Sequence, residues 1–210
     1  MSFNLRQGLF SFQNLNAITL IIILAASGMV SFQHIAFVFF CFFYIFFLAN
    51  FSFPTLSTNP EPPIFTTTQQ RILTIYVSFA ALIGLILPVA YIVHGALKDD
   101  DDDKGGAKAA SPHVFLLASQ VLMEGVTFYG GFSLPIRVFV PVVYNAVRMY
   151  AILDWLMSEL VMKGRNRVTV GISLAMVNLV FWGFNLFGFL LPVYLPKAFK
   201  NYYADKDKDL

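Results

Sequence analysis

The chain has 210 residues, of which 58% are hydrophobic and 12% charged, with a net charge of +2 and a mean hydropathy of +0.69. Soluble domains carry about 25% charged residues, so there is too little polar surface here to coat a water-soluble particle. The same numbers exclude a disordered chain, a disulfide scaffold and a basic nucleic-acid binder. No Asp, Glu, Lys or Arg occurs between Arg6 and Glu61, the mark of a membrane protein.

Residues 1–15 carry one Arg and no small-residue cleavage site, so the first apolar segment reads as a retained span rather than a signal peptide. A bilayer core takes about 20 apolar helical residues to cross. The first such run covers about residues 15–31, with a small-residue face at Ala25, Ala26, Ser27 and Gly28. The second, about 34–51, is dense in phenylalanine and holds Cys41, the single cysteine, so no intrachain disulfide forms. Only Ser31, Phe32 and Gln33 separate the two runs, which predicts a tight antiparallel hairpin. A Pro-rich loop over 53–70 follows, read as extended and clasped over the membrane surface. The third span, 72–97, pairs Ala80 with Gly84 as a small-residue contact, and Pro88 predicts a kink near Gly84.

Residues 98–112 read as a polar loop with five consecutive aspartates, Asp99 to Asp103. Two ambiguous runs follow, about 113–132 and 136–158. They carry Gln120, Glu124, Arg137, Asn145, Arg148 and Asp154, and a charge at mid-membrane must face protein, water or a counter-ion. Depth counted from the turn at Gly130 to Pro135 places Gln120 level with Asn145 and His113 level with Asp154. Glu124 lies within reach of Arg137 or Arg148. The preferred reading is a buried polar seam between two spanning helices; the alternative is a re-entrant or interface-lying pair. The last span, 168–194, carries Asn178 and Asn185 seven residues apart, on one face and suited to bonding neighbouring helices. A charged tail, 197–210, closes the chain.

Seven basic residues fall on one side of a six-span arrangement and six on the other, so charge bias does not orient it. Lys206 and Lys208, fifth and third from the end, resemble a dilysine retrieval signal, which implies the endoplasmic reticulum with both termini in the cytosol. His94 and Asp99 have the H-x-x-x-x-D spacing of glycerolipid acyltransferases, but an aspartate run meets that spacing easily and no second acyltransferase block follows. No P-loop, dinucleotide fingerprint or nucleophile elbow occurs. The segment Gly84 to Val89 is similar to Gly188 to Val193, and Phe51 to Pro54 to Phe132 to Pro135, but the offsets disagree by about one span, which rules out a repeat.

The stretches Ala26–Ser31, Pro112–Gln120, Phe132–Pro141 and Phe184–Pro196 resemble a plant-specific family of multi-pass membrane proteins known only as a domain of unknown function. The resemblance runs from about Phe10 to Tyr203 and implies a plant source and an integral membrane protein; it carries no catalytic residue. The reading is an all-α polytopic helix bundle of about six hydrophobic helices. No enzyme activity, catalytic residue, cofactor or metal is expected. Its partners are the lipid bilayer and either other membrane proteins or further copies of itself. The favoured role is a membrane scaffold or accessory subunit, the alternative a small transporter lined by the polar residues of the two middle helices, and the remote alternative a lipid acyltransferase.

Overall fold

A helix rich in Gly, Ala and Ser and carrying Gln and Glu has no continuous apolar face to offer lipid, and the bundle is built around one. The computed structural model describes residues 2–55, 67–98, 101–161 and 166–206, with side chains at 14–55, 69–98, 103–161, 169–204 and at Lys206. Among them the chain is all-helical. Six continuous helical rods run as α1 (Ser2–Ala26), α2 (Phe32–Phe51), α3 (Thr67–Ala81) with α4 (Leu87–Ala96), α5 (Asp101–Tyr129), α6 (Leu134–Val161), and α7 (Asn166–Phe184) with α8 (Leu195–Lys206). A π segment joins α3 to α4 over Leu82–Ile86, and another joins α7 to α8 over Asn185–Tyr194.

Helix α5 is the centre. It packs most extensively on α6, then on α1 and α4, and touches α2 and α7 as well. Every residue from His113 to Gln120 is buried. Its small side chains let neighbours close in: Ala107, Ala110 and Ser111 are fully buried, and a Cβ on Gly106 would lie 2.5 Å from the Tyr91 hydroxyl of α4. This overturns the expected loop over 98–112. Helix begins at Asp101, because the Gly-Ala-Ser stretch is a packing face. Asp103 is buried and lies 3.6 Å from Lys98, while Asp99 and Asp100 fall outside the described residues. Pro112 sits within the helix without ending it.

Among the described residues, four helical stretches are long and apolar enough to cross a membrane: Phe32–Phe51, Gln69–Ala96, Leu134–Val161 and Thr169–Ala204. The first two bury only 11% of their most apolar window, against 50% for Leu134–Val161. Their outward faces carry Phe39, Phe43 and Phe47 on α2 and Ile72, Ile75 and Phe79 on α3, all exposed, as lipid-facing helices require. The expectation of four firm spans and two ambiguous ones is thereby redistributed. Helix α6 meets the criterion despite its Arg, Asn and Asp, whereas among the described residues α5 does not and α1 contributes the shorter apolar stretch Asn14–Ala26.

The hairpin expected of α1 and α2 is not a paired one. Helix α1 ends at Ala26, since Gly28 takes φ +70, and α2 starts at Phe32 after the turn. The two then diverge, α1 along α5 and α2 against α5 and α6. Helix-ending geometry therefore takes Ser27 and Gly28 out of the small-residue face read there. The second positive-φ glycine, Gly131 at φ 64, makes the turn between α5 and α6. Of the Pro-rich loop, residues 56–66 lie outside the described residues, but its start is tied down. Ser133 donates to the Phe53 carbonyl at 2.7 Å and Tyr202 to the Pro54 carbonyl at 3.1 Å. Helix α8 carries the chain through Lys206, into the charged tail read from 197.

The kink expected from Pro88 is the first π segment. In an α-helix the carbonyl of Gly84 accepts from residue 88, and proline has no N–H to give. The ladder widens over Leu82–Ile86, and His113 of α5 donates Nε2–H to Gly84 O at 2.9 Å. Gly188 and Pro192 stand in the same relation inside the second π segment, so the likeness between the two Gly-to-Val stretches reflects shared local physics rather than a repeat. A Cβ at Gly84 would lie 2.6 Å from Cζ2 of Trp182, whereas at Gly183 the nearest atom is 3.5 Å away. Gly84→Ala is accordingly expected to lose about 1–3 kcal/mol in thermal unfolding in detergent, with Gly183→Ala close to the parent.

Candidate functional site

The polar side chains of α5, α6 and α7 meet in one connected network. Arg148, fully buried on α6, donates from Nη1 to Gln120 Oε1 at 2.9 Å and from Nη2 to Asn145 Oδ1 at 3.0 Å. Gln120 passes its own amide hydrogen to Glu124 Oε1 at 2.8 Å. Asn145 donates across to the Trp182 carbonyl at 3.1 Å, and Trp182 Nε1 donates to Asn178 Oδ1 at 3.1 Å. Asn178 in turn donates to the carbonyls of Ile83 and Leu174 at 3.1 and 2.9 Å. The Arg148 guanidinium also lies over the Trp182 ring, 3.8 Å from its centroid, a favourable cation–π placement.

The backbone geometry explains why these donors gather here. Carbonyls of Ile83 and Gly84 lie in the first π segment, and that of Trp182 lies three residues before the second. Where the α ladder gives way, carbonyls need other donors, and in a low-dielectric interior the need is acute. Asn178, His113 and Asn145 supply them. Because Gly84 O can only accept, His113 carries its hydrogen on Nε2, and its Nδ1 is left buried with no partner among the described residues.

Arg148 has no carboxylate within ion-pair distance among the described residues; its counter-charge, Glu124, is one amide away through Gln120. A guanidinium suits this because its fork serves two acceptors at once. Arg148 Nε has no partner among the described residues, nor does the buried hydroxyl of Tyr76. Glu124 Oε2 receives no hydrogen bond or ion pair among the described residues. Tyr76 and Glu124, though not Arg148, border a cavity of about 400 Å³ between α3, α5, α6 and the second π segment. Gln120, Glu124, Tyr76, Trp182 and Asn185 line it, with Ala80 and Ala81 giving it room. Arg137 lines it near the turn, its guanidinium 4.6 Å from the Phe128 ring centroid. A smaller, almost wholly apolar cavity of about 290 Å³ adjoins along Leu73, Tyr76 and Phe189 and holds Lys197.

Of the residues expected to form the seam, Gln120, Glu124, Asn145, Arg148 and Asn178 belong to the network and Asn185 to the cavity wall. Gln120 and Asn145 meet through Arg148 rather than directly. Asp154 does not join them: it is exposed, and His113, expected beside it, bonds Gly84 instead. The depth count was right in level but ignored azimuth, and Asp154 faces outward from α6. His94 is exposed, and Asp99 and Lys208 lie outside the described residues; Lys206 is the last residue of α8 and is exposed.

Two buried groups escaped the sequence reading. Trp182 joins three elements, and Glu159, 1% exposed, accepts from Tyr91 Oη and from Trp155 Nε1 at 3.0 Å, both on Oε1. Gly171 leaves its room, since a Cβ there would lie 2.4 Å from the Glu159 carboxyl carbon. The signal was present in the spacing: Tyr144, Arg148, Trp155 and Glu159 fall on one helical stripe, every member buried.

Helical architecture and four stretches able to cross a membrane, among the described residues, define an integral membrane protein, with a polar network set into its apolar core. The chain belongs to the family described as Domain of unknown function (DUF7733), whose profile covers residues 10–203. No curated protein and no solved structure matches it.

Proposed function

We propose that this is a non-enzymatic, multi-pass membrane protein that holds a small amphipathic molecule in the cavity between α3, α5, α6 and the second π segment, as a carrier or binding subunit. The observation that carries this reading is the position of Gln120 and Glu124. They form the cavity wall on one side and end the hydrogen-bonded chain from Arg148 on the other. Binding sites combine apolar walls with a few converging polar groups in cavities of about 300–1,000 Å³, and this one fits that description.

The scaffold or accessory-subunit reading draws support from the other half of the network. Arg148 and Asn145 are fully buried and hydrogen-bonded to each other, as helix-fastening groups are. Location in the endoplasmic reticulum, cytosolic termini and a plant source complete the proposal, resting on Lys206, Lys208 and the family resemblance. Native mass spectrometry on protein purified from its own membranes in mild detergent separates the two roles. The expected result is one bound small molecule per chain, lost on Ala80→Phe, which fills the cavity. A stoichiometric protein partner with no small molecule overturns the carrier reading in favour of the scaffold.

A further inference from the structure

We propose that the apolar trough between α3 and the second π segment, beside the cavity walled by Gln120 and Glu124, holds one acyl chain of an anionic phospholipid, with the phosphate at Lys197. The trough, of about 290 Å³, is lined by Ile72, Leu73 and Tyr76 of α3 and by Phe184, Phe189 and Val193 opposite, and no carboxylate lines it. It follows the helices from Phe184 to Lys197, thirteen positions along the chain and at most about 20 Å. Half of a bilayer core is about 15 Å, so the trough is as deep as one leaflet, the reach of one lipid chain. Gly188 is exposed within it and has no side chain to fill it. Tyr76, stacked on Phe181 at 5.2 Å, closes the inner side. Ile72 and Phe184 are both exposed, so the trough opens to the bilayer and the second chain of the lipid stays among its neighbours.

The outer end of the trough selects the headgroup. Lys197 and Gln69 line that end together, and Gln69 is where the apolar stretch Gln69–Ala96 begins. Ala198, next to Lys197, packs on Leu134 and Val138 at the start of α6. Arg137 therefore stands at the same level, and the exposed Arg71 lies two residues from Gln69. Three cations gather at this edge of the membrane. Among the described side chains no carboxylate occurs on α3, α4, α7, α8 or the π segments, and Glu124, in the neighbouring cavity, accepts from Gln120. A phosphate placed here meets cations, whereas the ammonium of a zwitterionic head meets no counter-charge among those elements. A lysine suits the position, because its stem lies along apolar wall while the ammonium reaches the headgroup level. Each basic residue near an anionic headgroup favours it about fivefold.

Two photoreactive phospholipids with the same diazirine-bearing acyl chain, a phosphatidylglycerol and a phosphatidylcholine, test this on the full chain in lipid nanodiscs. Cross-linked peptides are mapped by mass spectrometry. The phosphatidylglycerol is expected to label α3 and the second π segment at least about fivefold more than the phosphatidylcholine. The outward face of α2 at Phe39 and Phe43, exposed and uncharged, should take both equally. Lys197→Gln is expected to remove the preference and Lys197→Arg to keep it. Lys200→Gln, exposed and outside the trough, is expected to leave it unchanged. Equal labelling of the trough by the two lipids overturns the headgroup class while leaving the chain site standing. An undiminished preference in Lys197→Gln, its loss in Lys197→Arg, or an equal loss in Lys200→Gln overturns Lys197 as the anchor. Labelling of the trough no stronger than that of α2 with either lipid removes the site altogether.

Discussion

Arg148→Ala is expected to destabilise the bundle by about 3–5 kcal/mol, the cost of breaking a buried charged network on one side. The substitution leaves Gln120 Oε1 and Asn145 Oδ1 without donors, strips Glu124 of its counter-charge and removes the cation from the Trp182 face. Arg148→Lys should recover only part of the loss. An ammonium on a single flexible stem does not reproduce the planar fork that serves both amides. Unfolding in detergent followed by helical circular dichroism measures both variants. A double-mutant cycle with Gln120→Leu should show coupling of about 0.5–3 kcal/mol, since both residues belong to one network. A loss below about 0.5 kcal/mol for Arg148→Ala would mean that the guanidinium is not the hub of the network.

The second large effect is expected at Trp182, where Ala should cost about 3–5 kcal/mol, as for other buried tryptophans. Three functions are lost together: the packing against Gly84, the hydrogen bond to Asn178 and the ring under Arg148. Trp182→Phe separates them. It keeps an aromatic face but not the Nε1 hydrogen, so its cost should approach that of one unmade hydrogen bond, about 1–3 kcal/mol. Thermal melts of the two variants side by side give the partition. If Phe proved as damaging as Ala, the hydrogen bond that orients Asn178 towards the Ile83 carbonyl, rather than ring packing, would hold α7 against the first π segment.

Much of this arrangement was legible in the sequence, and the failures have physical causes. The phenylalanine-dense run of α2 and the stretch from Ile72 to Leu97 could be read directly, because lipid-facing helices advertise themselves by hydropathy. Pro88 and Gly84 located the first π segment, since a missing N–H four residues after a glycine has a defined structural cost. Residues 98–112 misled because charge and proline normally mean loop, and hydropathy is blind to a helix whose value lies in being thin. Asp154 misled because counting depth fixes height and leaves direction open. Trp182 and Glu159 were missed for the opposite reason. An isolated aromatic or acid near an apolar run looks incidental until the helix it faces is known.

The low apolarity of α5 also bears on how the protein is made. Standing alone in a bilayer, this helix would show Ser111, His113, Ser119, Gln120, Glu124 and Thr127 to hydrocarbon, and it lacks the apolarity to cross unaided. Helices that precede it, α1 and α4, cover only part of its circumference; α6, its most extensive neighbour, is synthesised next. The growing chain must therefore keep α5 away from lipid until α6 has emerged from the ribosome, about 30 residues later, roughly the length of one more helix. Packing on α6 covers the polar face of α5, with the bond from Arg148 to Gln120 joining the two. Biogenesis of this fold thus depends on a holding step, and a truncation that stops after Tyr129 should leave a polar helix that quality control can recognise.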